Sequence, residues 1–183
     1  SRIADFDRYH NRFQGVAHNT TKCIFEAGPN CTYIPSRLFI NGHLDQYPRI
    51  TNIDLTNSHC TRIGESAFYN LQALTDILFN SELNIIEDRA FASCSSISKL
   101  TIPSTIQSIG SEAFLNCYGL RELSLAKNTT LGKDCFAYVS EDEELTIIFE
   151  GTRSEFKQRS AKVFTHTYYT CHCIDGDVVK ERG

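Results

Sequence analysis

The chain has 183 residues, a formal net charge of −4, 41% hydrophobic residues and 22% charged residues. This composition excludes an intrinsically disordered or collagen-like chain, and the length suits a single domain with a sizeable core. The mild acidity argues against nucleic-acid binding, which normally requires a basic patch, and no apolar run approaches the roughly 20 residues of a transmembrane helix.

Residues 1–33 contain no copy of the repeated patterns described below and are expected to cap one end of the domain. Their pattern predicts a helix around residues 5–13 and a strand around Lys22 to Phe25. Cys23 and Cys31 could close a disulfide loop within this cap in an oxidising compartment.

Five copies of one short pattern follow, beginning at residue 34. Each copy has an aliphatic residue, three variable residues, a small residue and then Phe, although Leu38 replaces the small residue in the first copy. The last four Phe are 22 or 23 residues apart, and the first interval is longer because residues 41–48 are predicted to form an inserted loop. The five positions are Phe39, Phe68, Phe91, Phe114 and Phe136.

A second pattern, of the form L-x-x-L-x-L, lies between successive Phe and after the last one. Its alternating part predicts a short strand, with one set of side chains facing inward and the other outward. The last copy has Leu145 and Ile147 at its second and third apolar positions and Asp142 at the first. The earlier copies contain Ile50, Ile53 and Leu55; Leu74, Ile77 and Phe79; Ile97, Leu100 and Ile102; and Leu120, Leu123 and Leu125.

Two patterns repeated in register predict an α/β repeat fold, a right-handed leucine-rich-repeat solenoid of about five repeats over residues 34–149. Short parallel strands form one side, and the segment before each Phe forms a short helical or irregular turn on the opposite side. One unit cannot bury its apolar side alone, so neighbouring units share a core and the end units need caps.

Residues 150–183 leave the repeat and are expected to form the C-terminal cap of a single domain spanning 1–183. A short helix is predicted at residues 154–158, capped by Ser154. A closing strand is predicted within residues 165–174, which are rich in β-branched and aromatic side chains. Asp175-Gly176-Asp177 has the composition of a turn.

The repeat resembles the BspA-type, or Treponema pallidum-type, leucine-rich-repeat family. The residues that carry the resemblance are Ile109 to Leu125, preceded by Ile102-Pro103-Ser104, and the tail from Phe149 to Thr152 and from His172 to Asp177. The resemblance implies a curved solenoid that binds macromolecules. Family members are commonly surface or secreted proteins of host-associated bacteria and some protists, and several are linked with adhesion to host matrix proteins.

We therefore expect a non-catalytic protein-binding or adhesion module, with a host matrix or surface protein or a bacterial protein as its partner. The alternative is an intracellular scaffold or regulatory repeat protein, and the expected location is accordingly the cell surface or the medium, with the cytoplasm as the alternative. The family has no shared catalytic residues, and the sequence contains none of the common catalytic or nucleotide-binding motifs. No catalytic residue, metal ligand or cofactor is predicted, and the oligomeric state is left open.

Three of the eight cysteines are predicted to fill core positions of the repeat. Cys94 and Cys117 lie three residues after a Phe, where other copies have Leu71 and Val139, and Cys135 replaces the small residue before Phe136. The spacing of Cys171 and Cys173, with His166 and His172 nearby, suggests a metal site. A plain capping strand is favoured, because no second pair of ligands follows.

The candidate binding site is the outward face of the predicted strands, read as two columns of side chains. The column before the second apolar position contains Asn52, Asp76, Lys99, Glu122 and Glu144. The column after it contains Asp54, Leu78, Thr101, Ser124 and Thr146. This mixed and mildly acidic face is predicted to hold a protein or peptide, with Leu78 as an apolar anchor. A solvated sheet face without a ligand is the competing interpretation.

Overall fold

The computed structural model describes residues 2–3, 21–25, 32–39, 49–140 and 144–181. Within these ranges the chain forms fourteen strands and one helix. The strands are β1 (Arg2–Ile3), β2 (Lys22–Phe25), β3 (Tyr33–Ile34), β4 (Asn52–Asp54), β5 (Arg62–Ile63), β6 (Asp76–Leu78), β7 (Ile85–Ile86), β8 (Lys99–Ile102), β9 (Ser108–Ile109), β10 (Glu122–Leu125), β11 (Thr130–Leu131), β12 (Leu145–Phe149), β13 (Tyr169–Cys173) and β14 (Gly176–Lys180). The helix α1 spans Arg153–Ser160, between β12 and β13.

The predicted repeat strands form one side of a solenoid, which we call the front. They belong to two sheets, with strand orders β1-β2-β4-β6 and β14-β13-β12-β10-β8. Neighbouring repeat strands are parallel, as in the pairing of Leu100 with Leu123. In β8 the side chains alternate between exposed and buried, which is the alternation expected of a strand with one face on the core.

The front is interrupted between β6 and β8, which lie in different sheets. At this junction the Ser96 hydroxyl donates to the Gln72 carbonyl at 2.6 Å. Ile77 of β6 is only half-buried, whereas Leu100 of β8 and Leu123 of β10 are buried. The repeats therefore continue to stack across a break in the front hydrogen-bond ladder.

A third sheet, which we call the back sheet, runs unbroken in the order β11-β9-β7-β5-β3. Each of its strands has two residues, and an aliphatic side chain points into the core in β3, β5, β7 and β9. The segment before each Phe forms an irregular turn and contains no helix. Ser66, Arg89 and Glu112 have φ between 53° and 57°, so these turns use the left-handed region.

The core is organised around a ladder of stacked Phe rings. Phe91 and Phe114 have ring centroids 5.2 Å apart and planes only 5° apart, and Phe114 and Phe136 repeat this geometry at 5.2 Å and 6°. All five predicted Phe are buried. Phe164 continues the ladder, 5.5 Å from Phe136, and is a rung that the repeat pattern did not predict.

The C-terminal segment closes the solenoid with α1 and a hairpin. Thr152, and not Ser154 as predicted, is the N-cap, because its side chain accepts from the Glu155 amide and the Glu155 carboxylate accepts from the Thr152 amide. The closing strand is confirmed as β13, parallel to β12. The predicted turn is shorter than expected, since Gly176 and Asp177 already belong to β14, an antiparallel edge strand that the sequence did not predict.

At the other end, the predicted strand is confirmed as β2, which pairs with β1 and β4. The buried Cys23 pairs with Ile53 and so occupies an inward position equivalent to those of the repeats. The helix predicted at residues 5–13, the loop at 41–48 and Cys31 lie outside the described residues.

Candidate functional site

The front strands place the column side chains of the first four repeats on the outward face of the solenoid. Asn52 pairs with Asp76, and Lys99 pairs with Glu122, so each column is continuous within each front sheet and is interrupted between β6 and β8. The eight side chains are all exposed or half-buried: Asn52, Asp54, Asp76, Leu78, Lys99, Thr101, Glu122 and Ser124.

The last strand has a different register from the predicted one. Glu122 pairs with Thr146, and Ser124 pairs with Ile148, which shifts the predicted alignment of β12 by two residues. Thr146 therefore belongs to the first column and not to the second. Glu144 precedes β12 and lies outside both columns, where its carboxylate accepts from the Thr170 hydroxyl.

The corrected register places Ile148 in the second column, where the sequence reading did not expect it. Its side chain is 53% exposed, close to the 51% of Leu78 in the same column. Both columns then extend onto β13, through Thr170 beside Thr146 and His172 beside Ile148. The alternation of buried and exposed side chains along β12 was the signal that could have identified Ile148 as an outward residue.

Two acidic side chains of the columns are occupied by contacts within the face. Asp76 accepts from the Asn52 amide at 3.1 Å and from the Thr75 hydroxyl at 2.6 Å. Glu122 lies 2.7 Å from the Lys99 ammonium. Glu122 is thus offset by a cation of the same column, whereas Asp76 keeps its charge and is held by neutral donors.

The carboxylate of Asp54 also has partners within the protein. Its carboxylate accepts from the Thr56 hydroxyl at 2.6 Å and lies 3.4 Å from the Lys22 ammonium. The Thr56 hydroxyl makes the largest contribution to holding the pKa of this carboxyl below its usual value, and Lys22 adds to the effect. Asp54 is therefore a charged but already partnered group.

The repeat cysteines occupy the core, as predicted. Cys94, Cys117 and Cys135 are buried, and the Cys94 and Cys117 thiols lie 3.2 Å and 3.4 Å from the carbonyl oxygens of Phe68 and Phe91. Burial raises the pKa of Cys117 to about 12, because the thiolate would lose its hydration. A buried thiol with a raised pKa is a poor nucleophile at neutral pH.

Cys171 and Cys173 share the inner face of β13, with their sulfur atoms 3.7 Å apart. His172 is exposed, and its Nδ1 lies 2.9 Å from the Asp177 carboxylate, so it does not join the two thiols. Among the described residues no group of three or more His, Cys, Asp or Glu is arranged to hold a metal ion. The arrangement is that of a capping strand.

A model of the BspA type leucine rich repeat region matches residues 32–167 in six copies, one more than the five repeats counted in the sequence. No curated protein matches the sequence. No helix in the described part of the chain is long and apolar enough to cross a membrane.

Three solved structures share the fold. A leucine rich cell surface protein from Faecalibacterium prausnitzii A2-165 is 24% identical with a TM-score of 0.61, and the match covers 78% of this chain and 35% of that one. A leucine rich repeat protein from T. pallidum is 17% identical with a TM-score of 0.60, covering 72% and 59%. A leucine-rich repeat protein from Bacteroides ovatus ATCC 8483 is 13% identical with a TM-score of 0.53, covering 82% and 45%. The chain thus spans less than two thirds of each of these proteins.

Proposed function

From the premise that the chain belongs to the BspA-type leucine-rich-repeat family, we propose that it is a non-catalytic adhesion module of a bacterial cell-surface or secreted protein. The fold is that of a protein-interaction module, and such repeats typically bind and do not catalyse. One solved structure with this fold is named as a cell surface protein. The partner in this proposal is a protein of the host surface or matrix, held on the front face.

The observation that carries the proposal is the second column, where Leu78 and Ile148 are the two large apolar side chains and both are about half exposed. They lie on β6 and β12, with β8 and β10 between them and the break in the front ladder between β6 and β8. Thr101 and Ser124 lie between them. This arrangement suits two apolar anchors of one partner segment that crosses the strands.

The contacts within the face favour a partner surface of apolar and uncharged polar side chains over a strongly basic one. Asp76 and Glu122 already have partners at 3.1 Å or less, so a bound Lys or Arg must compete with them. An exposed ion pair contributes only about 0–1 kcal/mol. Reversing these acids to Lys should therefore weaken binding less than removing the two apolar anchors.

The test is to immobilise the protein and measure the binding of purified extracellular-matrix proteins to wild type, Leu78→Lys, Ile148→Lys and the double variant. Each single change should weaken the interaction about tenfold or more, because an apolar anchor becomes a charge that needs hydration. Ile174→Lys is the matched control, since Ile174 is 75% exposed but lies in the β13–β14 turn. Equal affinity of the double variant and wild type for every bound matrix protein would refute the site.

The thiols favour the second candidate, an intracellular scaffold or regulatory repeat protein. Free thiols are found at Cys23, Cys94, Cys117, Cys135, Cys171 and Cys173, and all of these except Cys173 are buried. Disulfides are rare in the cytosol and common in secreted domains. Thiol titration of freshly isolated native material separates the two candidates: an oxidised Cys23–Cys31 pair favours secretion, and full reduction of all eight cysteines favours the cytosol.

The proposal treats residues 1–183 as one domain, with caps at 1–33 and 150–183 around the repeats at 34–149. Cys23 in the first segment and Phe164 in the last belong to the same hydrophobic core cluster as the repeats, which supports this division. Limited proteolysis checks it. A single resistant product that contains both segments is expected, and early release of residues 150–183 with an intact repeat core would contradict it.

A further inference from the structure

A second polar site lies between the back strand β11 and the C-terminal end of α1, outside the two front columns. It is an open cavity of about 570 Å³ lined by residues 128–133, 158–159 and 161–163, which we call the basic cavity. Three of its lining side chains are cationic: Lys133, Arg159 and Lys162. None of the described residues that line it is acidic.

The cations of the basic cavity differ from those of the repeats in their pairing. Arg62, Arg89 and Lys99 each lie within 2.8 Å of a Glu carboxylate in a neighbouring repeat. In the described part of the chain, Arg159 and Lys162 have no carboxylate within ion-pair distance. The cavity therefore collects positive charge for which the described residues provide one ion pair, between Lys133 and Asp134.

Two carboxylates that are close to the cavity in sequence, Asp134 and Glu155, accept hydrogen bonds from residues outside it. Asp134 accepts from the Thr165 hydroxyl and lies 3.6 Å from Lys133. The Glu155 carboxylate accepts from the Thr152 amide at 2.7 Å in the first turn of α1, and the charge of Arg159, four residues later, helps to lower its pKa. Neither carboxylate lines the cavity.

The helix dipole accounts for only part of this charge. The C-terminal end of an α-helix carries roughly half a negative charge, which favours cations in its last turn, including Arg159. Arg159 also donates to the carbonyl oxygens of Lys127 and Thr129, but these bonds use only one of its nitrogens. With the dipole and the Asp134 and Glu155 carboxylates all counted, the three cations still leave a net positive charge.

We propose that the basic cavity binds a sulfated or carboxylated saccharide. Its volume lies within the range of roughly 300–1,000 Å³ that is usual for small-ligand sites. Beside the cations it exposes neutral hydrogen-bonding side chains, Asn128, Thr130 and Gln158, which suit sugar hydroxyls. An inorganic anion can accept hydrogen bonds from these groups but leaves their acceptor oxygens unused, whereas sugar hydroxyls both donate and accept.

The probe for the test is a fluorescently labelled heparin-derived tetrasaccharide, whose anisotropy is measured against the whole 183-residue chain. Lys162→Gln should weaken binding roughly three- to tenfold, and raising the salt concentration should weaken it further. Lys157→Gln is the matched control, because Lys157 lies on the same helix and is exposed, but it does not line the cavity. Thermal melting of each variant checks that it is folded.

Two further arms identify the ligand chemistry. Gln158→Ala should weaken binding of the tetrasaccharide but leave the affinity for inorganic sulfate unchanged. This is the result expected if the side-chain amide contacts a sugar hydroxyl. Equal losses for Lys157→Gln and Lys162→Gln would overturn the proposal in favour of a diffuse basic surface. Competition by sulfate or by a poly-glutamate peptide as strong as that by unlabelled tetrasaccharide would also overturn it.

Discussion

The phenylalanine ladder offers the sharpest test of how this chain holds its fold. Phe114 is fully buried between Phe91 and Phe136, with both ring centroids at 5.2 Å and nearly parallel planes. Replacing a buried Phe with Ala typically costs about 3–5 kcal/mol, and each aromatic pair contributes about 0.5–1.5 kcal/mol within such totals. We expect Phe114→Ala to lower the free energy of unfolding by about 4–5 kcal/mol.

Since that loss can exceed the stability of a small domain, a milder change is needed as well. Phe114→Leu keeps most of the apolar volume but removes both ring contacts, and we expect it to cost about 1–3 kcal/mol. Phe149→Leu is the matched control. Phe149 is also buried, but Phe156 is its one ring neighbour among the described residues, 5.4 Å away and tilted. Its cost should be smaller by about 1 kcal/mol.

The assay is equilibrium unfolding in urea, followed by far-UV circular dichroism and by tyrosine fluorescence, since the chain has eight Tyr and no Trp. The two probes must give coincident transitions, because cooperativity in repeat proteins can break down into local steps. A Phe114→Leu variant that loses no more stability than Phe149→Leu, with Phe114→Ala costing under about 1.5 kcal/mol, would refute the role of the ladder.

Three further predictions concern single positions. Burial raises the pKa of Cys117 from its ordinary value of 9.0 to about 12, so the contribution of this thiol to stability is complete below pH 9.0 and is lost as the pH rises towards 12. Cys117→Val should make the alkaline decline of the free energy of unfolding less steep in urea titrations, and an unchanged slope would contradict the argument. A Cβ on residue 110 would lie 2.5 Å from the Asp88 amide nitrogen, so Gly110→Ala should lower stability by about 1–3 kcal/mol in the same assay; no loss would show that the repeats can move apart. The lowered pKa of Asp54 adds stability above its ordinary value of 3.8 that is lost as the pH falls below it, so Asp54→Asn should make acid unfolding less steep, as measured by circular dichroism.

The repeat architecture could be predicted from the sequence because its two patterns keep a constant offset. Every unit has to bury its Phe against the units before and after it, so the same residue type recurs at Phe68, Phe91 and Phe114. The cysteines of the core could be placed for the same reason, since Cys94 and Cys117 share a position with residues of similar size and polarity.

The sixth rung could not be found from the repeat period. Phe164 follows Phe136 by 28 residues, because α1 is inserted before it. The turns were also unpredictable in detail. Ser66, Arg89 and Glu112 have no special preference for the left-handed region, and they adopt it because the backbone must bond to the next repeat, as when the Ser66 amide donates to the Asp88 carbonyl at 3.0 Å.

The register of β12 shows a limit of strand patterns that bears directly on the front face. A shift by one residue would turn every buried side chain of a strand outward, so an alternating pattern excludes it. A shift by two residues keeps the alternation, and only the pairing of Leu123 with Ile147 decides between the two alignments. The consequence is chemical. Thr146 stands in the first column where the Glu144 carboxylate was expected, and the exposed Ile148 stands in the second column where Thr146 was expected. The end of the front face next to the cap is therefore less acidic and more apolar than the predicted columns implied.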